Sequence, residues 1–587
     1  MIAKISKIGL VFLCSFTGIC CSNDTSSETP PTLEEIQKRP AVEGSRIAWD
    51  YSTLRKVSSS KTGTRYNGYA RIIQLHDQSL LGVYEADGNV VTVKSNNLGD
   101  TWTEPVVIAA KQNGFNMSVP DVLQLNDQSI LVCYNPRPYE IDLSRRFAIR
   151  TKKSYDGGLI WQDERLLYEA GHEFENGCWE PSAIQLPSGE IQLFFANEGP
   201  YTYSAEQNIS LLRSSDKGLT WTKQPEVASY RAGKRDGMPS PLLLQNGKDI
   251  AVAIEDNGSG DFKPYIIRST VANNWSNTVN ANSPDRSYAL AEKINDFVYA
   301  GAPYLRQLKT GETILSYQGT EGRPNKLETS EMKVVIGNDA AQNFNRKTSP
   351  FSIPDNKSGL WNSLAVLEDN TVVALTSTNA YSENGDTEVW MIKGHVIPEI
   401  AAVQNTITID ATQTEAVWAE PFPIFIGHKS MTQVTSQVAY DDQFLYVLNR
   451  VKDGKVVNDS QNPEENDGVT VQVDATNLSY EKPGKGIFSF FLSADNKLVA
   501  KEGENGKWVA LGDTKDIKYA SKISNTGYTQ ELAIPWSFVG GKPASNTRIG
   551  FNISLAEDTG KEAVDYRESI SANNTDQPFS WITLVLK

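Results

Sequence analysis

The chain has 587 residues, of which 39% are hydrophobic and 22% are charged. This composition is typical of soluble globular proteins, and the length exceeds what one core usually serves, so we expect at least two domains. The net charge of −15 argues against nucleic acid as a partner, because such binding needs clustered lysines and arginines.

Residues 1–21 have the pattern of an export signal. Two lysines precede an apolar run that ends at Cys20 and Cys21, and this run is too short to span a membrane as a mature helix. It resembles a bacterial lipoprotein signal, with Cys20 or Cys21 as the lipidation site. The acidic, serine-rich linker 22–44 resembles those of Bacteroidetes surface lipoproteins. We expect an exported lipoprotein at the outer membrane or cell surface of a Gram-negative bacterium; the periplasmic face and plain secretion are the alternatives.

Two cysteines, Cys133 and Cys178, lie in the body of the chain. Two are too few for a disulfide framework, although export would permit one. Both lie in or beside strand-like segments. We therefore predict buried free thiols, with a single bridge as the alternative.

Three octets share the pattern Ser, any, Asp or Asn, any, Gly, any, any, Trp. They are Ser95–Trp102, Ser154–Trp161 and Ser214–Trp221, and a degenerate copy begins at Ser269. The acidic or amide side chain can cap a tight turn, the glycine permits a positive φ, and the tryptophan can anchor a hairpin to the core. These octets are interpreted as Asp-boxes with a structural role.

A second repeat of strand, turn and strand runs through the first 400 residues. Each copy has a leucine at the same place: Leu75, Leu125, Leu186, Leu244, Leu308 and Leu367. Six similar β units predict a six-bladed β-propeller over residues 45–400 rather than a sandwich. Together with the octets, this repeat resembles the sialidase-like propellers, in which Asp-boxes lie on blade hairpins away from the active site.

The segments ahead of the six leucines are expected to line the central channel of this propeller. They are rich in aromatic and short polar residues, which bind the apolar faces and the hydroxyls of sugars. The candidate substrate-binding residues are Arg71, Asn116, Asp121, Trp179, Arg235, Asp236, Tyr317, Gln318, Trp361 and Asn362.

Glu180 and Glu255 are the candidate catalytic residues. Cleavage of a glycosidic bond needs two carboxyl groups, and these two lie on adjacent predicted blades at the inner ends of strands. Apolar neighbours could raise one pKa. The alternatives are a solvent-facing Glu180 and a salt bridge from Glu255 to Arg235 or Lys263.

Five segments of the propeller resemble glycoside hydrolase family 93, the exo-α-1,5-L-arabinanases. They are WEPSA (179–183), RDGMPSP (235–241), IED (254–256), APYLRQLKTGETILSYQ (302–318) and LWNSLAVL (360–367). The resemblance implies a retaining glycosidase with Glu180 and Glu255 as the catalytic pair. The sequence does not order them, and we assign Glu180 as acid/base and Glu255 as nucleophile. YARII, around Arg71, departs from the family pattern, which leaves the role of Arg71 open.

Two other functions remain open. A true sialidase would need three arginines, for which Arg71, Arg235 and Arg306 are available, and a phenol such as that of Tyr317. Its usual Arg-Ile-Pro segment is absent, since Ile73 stands in place of the proline. The third possibility is a surface glycan-binding lipoprotein without catalysis.

Residues 405–587 lack octets and read as alternating strands, which predicts a β-sandwich. Four segments resemble the family 9 carbohydrate-binding-module-like domain: IDATQTEAVW, AYDDQFLYVLNRV, NDGVTVQVD and ELAIPW. Such a module can hold a sugar between aromatic side chains, although a structural role is equally open. The candidate sugar-binding residues are Trp508, Trp581 and Tyr566, while Trp418 and Trp536 are expected to lie in the core.

Metals and cofactors have little support. The chain has four histidines and no metal-binding spacing. The acidic loop 462–468 offers oxygen ligands for calcium, but we interpret it as a solvated turn. We therefore predict an all-β monomer, a propeller followed by a sandwich, that uses no cofactor and acts on a polysaccharide.

Overall fold

The computed structural model describes residues 46–587, except for 60, 398, 414, 420, 422, 428–431, 476, 478–481, 543, 561–565, 570–575, 577 and 579–580. The predicted signal, the linker, Cys20 and Cys21 lie outside the described residues. The described part is nearly all-β, which confirms the predicted fold class. Its helices are single 3-10 turns, at Phe174–Asn176, Leu327–Thr329, Ala416–Ala419 and Pro463–Glu465. None of these has the length and apolarity of a membrane span.

The first half of the propeller comprises three four-stranded antiparallel sheets. Strand β1 (Arg46–Lys56) belongs to the last blade. Blade one contains β2 (Asn67–Gln74), β3 (Leu80–Ala86), β4 (Asn89–Ser95) and β5 (Val106–Ala109). Blade two contains β6 (Phe115–Gln124), β7 (Ile130–Pro138), β8 (Ala148–Ser154) and β9 (Gln162–Glu169). Blade three contains β10 (Cys178–Gln185), β11 (Ile191–Asn197), β12 (Asn208–Ser214) and β13 (Glu226–Ser229).

The second half repeats this plan and closes the ring. Blade four contains β14 (Asp236–Leu243), β15 (Asp249–Asp256), β16 (Lys263–Thr270) and β17 (Arg286–Tyr288). Blade five contains β18 (Ala300–Gln307), β19 (Thr313–Gly319), β20 (Glu331–Gly337) and β21 (Asn345–Thr348). Blade six contains β22 (Gly359–Val366), β23 (Val372–Thr378) and β24 (Glu388–Ile397). Its outermost strand is β1, which pairs antiparallel with β24.

The six repeated leucines occupy one structural position. Each directly follows the innermost strand of its blade, and each is between 0% and 4% exposed. A buried side chain at the turn anchors the hairpin between the first two strands in the core. The repeat seen in the sequence is therefore the repeat of the blades.

The three octets form similar turns between the third and fourth strands of blades one to three. In each octet the glycine N–H donates to the serine Oγ, at 2.8 to 2.9 Å. Each glycine has a positive φ, from 83° to 93°. The octets therefore lie on the outer edges of their blades, away from the channel.

The C-terminal domain is one curled sheet of thirteen strands. Its strands are β25 (Glu399–Gln404), β26 (Ile424–Gly427), β27 (Gln433–Tyr440), β28 (Phe444–Lys452), β29 (Gly468–Asp474), β30 (Ile487–Ser493), β31 (Leu498–Glu504), β32 (Lys507–Ala510), β33 (Lys518–Ser524), β34 (Gly527–Pro535), β35 (Arg548–Glu557), β36 (Tyr566–Ser569) and β37 (Ile582–Leu586). Strand β25 pairs in parallel with both β37 and β27 and joins the two halves. The halves share one hydrophobic core, so the predicted sandwich is a single sheet folded onto itself.

The aromatic side chains of this domain differ in exposure. Trp418 and Trp536 are buried in the core, as expected. Trp581 is fully buried, which contradicts its predicted contact with a sugar, because a stacking ring needs a free face. Trp508 is half-buried. Tyr566 lies in β36, but its side chain is outside the described residues.

Candidate active site

One residue of each innermost strand has a left-handed backbone conformation. It lies six positions before the shared leucine, and its φ is between +47° and +53°. Each stands at a β-bulge, where the register with the second strand shifts. Bulges of this kind re-aim a side chain. We call these six residues the channel ring: Tyr69, Val119, Glu180, Met238, Ala302 and Trp361.

The channel ring surrounds the propeller axis. Its five members other than Glu180 form one hydrophobic cluster, and the rings of Tyr69 and Trp361 stack with their centroids 4.6 Å apart. Residues from five blades can contact one another only where the blades converge. Glu180 is therefore the one carboxylate in a ring that is otherwise apolar.

Arg137 neutralises Glu180. Its Nη2 donates to Glu180 Oε1 at 3.0 Å, and its Nε donates to Asn135 Oδ1 at 2.7 Å. The guanidinium also lies 4.8 Å from the centre of the Trp179 ring. Burial raises the pKa of Glu180, whereas the positive charge of Arg137 opposes this rise.

The Glu255 side chain reaches the same region because two residues of the innermost strands next to it, Gly237 and Gly301, have no side chain. It is paired with Gly237 across blade four. A Cβ at Gly237 would lie 2.9 Å from Glu255 Oε1, and one at Gly301 would lie 2.5 Å from Oε2. A glycine at each position therefore leaves the space that the Glu255 carboxylate occupies. The N–H of Ala302 donates to Oε2 at 2.8 Å.

The two carboxylates have different electrostatic environments. Burial raises the pKa of Glu255 to about 7, and the negative charge of Glu180 adds to this rise. Within the described residues Glu255 forms no ion pair, and its hydrogen-bond donor is a backbone amide. Glu180 is ion-paired with Arg137, whereas the charge of Arg235 lowers the pKa of Glu255 less than burial raises it. The alternative considered from the sequence, a salt bridge of Glu255 with Arg235 or Lys263, does not form among the described residues.

A third acid lies beside this pair and was not anticipated from the sequence. Glu198 follows β11, is 2% exposed and forms an ion pair with Arg235. Burial raises the pKa of Glu198 to about 7, against the effect of Arg235. Arg235, a predicted substrate-binding residue, therefore lies at the channel mouth with a protein partner.

Two tyrosines near the mouth were also missed. Tyr66 and Tyr299 each stand two residues before a glycine of the innermost strand, Gly68 and Gly301. A Cβ on either glycine would lie 2.5 to 2.6 Å from the tyrosine hydroxyl, so each phenol lies over its glycine. The repeated Tyr-any-Gly pattern in blades one and five was the available signal.

Several predicted residues support the site from behind. Trp179 is 4% exposed and lies under Arg137, and Asn116 pairs with Arg137 across blade two. Gln318 accepts from the N–H of Trp361 at 2.8 Å. Trp361, half-buried in the channel ring, is the predicted aromatic that keeps an accessible surface at the axis.

Arg71 and Asp121 lie deeper in the channel than predicted. They are 6% and 5% exposed, and with Tyr304 they line a cavity of about 10 Å³, which is room for about one water. The Arg71 guanidinium lies 4.6 Å from the centre of the Tyr304 ring. Glu180 lines the same cavity, so Arg71 and Asp121 lie next to the candidate catalytic residue.

Three predicted substrate-binding residues do not reach the channel. Asp236 is fully buried and accepts from Arg286 Nη1 at 2.8 Å, and Arg286 also pairs with Asp256. Tyr317 is fully buried and donates to Glu321. Asn362 is 2% exposed and donates to a backbone carbonyl of its own strand. Internal hydrogen bonds therefore occupy the polar groups of Asp236 and Tyr317, and burial keeps Asn362 from a substrate.

The three arginines that a sialidase would use are not gathered at one open point. Arg71 and Arg306 both lie against the ring of Tyr304, and Arg235 is paired with Glu198. Cys133 and Cys178 are buried free thiols, as predicted.

Asp467, from the acidic loop 462–468, lies away from this site in the C-terminal domain. One of its carboxylate oxygens and one each of Asp453 and Glu557 lie within 4.8 Å of one another. The backbone N–H groups of Val457 and Asp558 donate to Asp467, each at 2.6 Å. The interpretation of this loop as a solvated turn is therefore wrong at Asp467, which is fully buried.

The fold and the site define a class: a six-bladed propeller with two half-buried carboxylates at its axis, joined to a carbohydrate-binding-like module. Residues 408–586 match the family described as carbohydrate family 9 binding domain-like, which confirms the resemblance predicted for the C-terminal domain.

Curated relatives match parts of the chain. It is 28% identical over 201 residues to endo-1,4-beta-xylanase A of Thermoanaerobacterium saccharolyticum, covering 32% of this chain and 16% of that protein. It is 22% identical over 273 residues to the sialidase of Micromonospora viridifaciens, covering 43% and 40%. The chain thus spans less than a fifth of the xylanase and less than half of the sialidase.

Solved structures of three proteins resemble parts of the chain. The alpha-L-arabinanase of Penicillium chrysogenum with arabinobiose is 17% identical, with 58% of this chain and 97% of that one covered and a TM-score of 0.45. The GH93 alpha-L-arabinofuranosidase of Fusarium graminearum with arabinobiose is 18% identical, with 59% and 97% covered and a TM-score of 0.43. The family 9 carbohydrate-binding module of Caldicellulosiruptor kristjanssonii with cellotriose is 18% identical, with 32% and 93% covered and a TM-score of 0.29.

Proposed function

We propose that the protein is an exo-acting, retaining glycoside hydrolase that releases arabinose units from an arabinan-type plant polysaccharide. The observation that carries this proposal is the meeting of Glu180 and Glu255 at the channel axis, the first ion-paired with Arg137 and the second without an ion pair among the described residues. Glycoside hydrolysis needs such a pair, with one carboxyl group ionised and the other protonated. The choice of arabinan rests on the five segments that resemble family 93.

In the proposed mechanism Glu180 is the nucleophile and Glu255 is the acid/base, the reverse of our assignment from the sequence. Arg137 stabilises the carboxylate form of Glu180, which would attack the anomeric carbon. Glu255, with its pKa raised to about 7, would give its proton to the leaving oxygen. Once ionised, it would accept a proton from the water that hydrolyses the glycosyl-enzyme.

The substitutions Glu180→Gln and Glu255→Gln test this assignment. Each is expected to lower turnover by about 10²- to 10⁴-fold, with the thermal midpoint close to that of the wild type. Glu368→Gln is the matched control, because its side chain is 63% exposed in a surface ion pair. Normal turnover in either active-site variant would reject the catalytic pair.

A substrate panel separates this proposal from its rivals. Purified protein would be incubated with linear arabinan, sialyllactose and pectic oligosaccharides, and the products read by mass spectrometry and anomeric NMR. Arabinose units released with retained configuration support the proposal. Release of sialic acid would identify a sialidase, and binding without cleavage would identify a glycan-binding protein.

We also propose that the chain is an exported lipoprotein anchored in the outer membrane. The support is the signal-like segment that ends at Cys20 and Cys21. Palmitate labelling of cells that express Cys20→Ala or Cys21→Ala would identify the acylated cysteine, since only the variant lacking it loses the label. Equal labelling of both variants and the wild type would refute a single lipidation site here.

A further inference from the structure

Five large apolar side chains are exposed on three loops of blades two and three. Tyr139, Ile141 and Leu143 follow β7 and are 48%, 79% and 78% exposed. Phe174, before β10, is 66% exposed, and Tyr203, after β11, is fully exposed. We call these five residues the apolar rim.

The apolar rim belongs to the channel mouth. The three loops begin or end next to residues of the site: the first follows Arg137, the second precedes Glu180, and the third contains Glu198. The Phe174 ring lies 4.6 Å from the Trp179 ring, centre to centre, and Trp179 lies under Arg137. The rim is thus continuous with the wall that carries Glu180, the proposed nucleophile.

Backbone hydrogen bonds join the first two loops into one surface. The N–H of Phe147 donates to Gly171 O at 2.9 Å, and the N–H of Ala170 donates to Phe147 O at 2.8 Å. Blade one offers no comparable wall, because its corresponding connection is only Asp87 and Gly88. The first two loops therefore form one continuous apolar shelf at the mouth.

We propose that the apolar rim binds the part of the polysaccharide chain beyond the cleaved bond, with sugar rings laid by their C–H faces on Phe174 and Tyr203. This inference rests on the proposed function. Exposed apolar groups gathered at one place mark interaction sites, and aromatic faces match the apolar faces of sugars.

Two variants test the rim: Tyr203→Ala and the double substitution Ile141→Ala with Leu143→Ala. The matched control is Leu159→Ala with Ile160→Ala, on the outer hairpin of the same blade, where the two side chains are 69% and 65% exposed. Kinetic constants would be measured on linear arabinan and on arabinotriose. Native gels containing linear arabinan would report binding independently of hydrolysis.

The rim variants are expected to raise KM for linear arabinan about three- to tenfold and to migrate faster in the arabinan gel, while their constants for arabinotriose change less than about twofold. The control should match the wild type on both substrates. Rim variants that equal the wild type on linear arabinan overturn this inference and leave the proposed function standing. A wild-type protein that neither cleaves nor binds arabinan overturns the proposed function, and the rim with it.

Discussion

Replacing Gly301 by alanine is expected to displace Glu255 and to lower turnover without unfolding the protein. The added Cβ would lie 2.5 Å from Glu255 Oε2, about 0.9 Å inside the 3.4 Å at which ordinary contacts begin. A shift of about 1 Å in a catalytic group can cost about 100-fold in rate. The Cβ would also meet the Tyr299 hydroxyl at 2.6 Å. Unfolding is not expected, because both contacts are with the ends of side chains and the φ of Gly301 is one that alanine adopts readily.

The assay is turnover on linear arabinan, with the thermal midpoint measured in parallel. Gly237→Ala should have a smaller effect, because its Cβ would lie 2.9 Å from Glu255 Oε1. Gly454→Ala is the control, since nothing lies within 4 Å of its Cβ. Wild-type turnover in folded Gly301→Ala would refute the idea that the missing side chain positions Glu255.

Two further predictions concern pH and stability. Turnover should fall as pH rises through about 7, because Glu255 must be protonated to act as an acid and its pKa is raised to that value. The variant Glu198→Gln should show the same decline in turnover. If the decline disappears in that variant, the titrating group is Glu198 and not Glu255. Arg286→Met should lower the free energy of unfolding by about 3–5 kcal/mol, because it leaves Asp236 buried without its cation; Asp256 keeps its pair with Arg231. Denaturant titration would measure this, with Arg165→Met, a partly exposed surface pair, expected to change it by less than about 1 kcal/mol; equal effects would contradict the reasoning.

The repeat of the blades could be predicted from the sequence because each copy depends on residues that are close together in the chain. A leucine at a hairpin turn is needed in every blade, and a glycine with positive φ in the octets of blades one to three, so they recur at fixed spacing. The position six residues before each leucine also recurs, and counting back from Leu186 reaches Glu180. This spacing agrees with the prediction from the sequence that Glu180 lines the central channel.

The surroundings of the catalytic pair were harder to predict because they depend on contacts between blades. Arg137 lies in blade two and pairs with Glu180 of blade three. No residue spacing in the sequence predicts this pairing. Asp236 and Tyr317 lie in segments that resemble the family, but adjacent strand positions point to opposite faces. A sequence does not show which way a side chain points at a bulge. The predicted substrate-binding residues therefore included neighbours of the residues that line the site.

The pairing of β1 with β24 also affects the order in which the molecule can be completed. Ile47 and its partner Val396 are among the first and last propeller residues to be synthesised, so the ring stays open until nearly all of it exists. Bringing such distant segments together costs about 5 kcal/mol of chain entropy by the usual logarithmic estimate. A fragment that starts after Lys56 would leave the edge of β24 unpaired, and we expect it to self-associate through that edge.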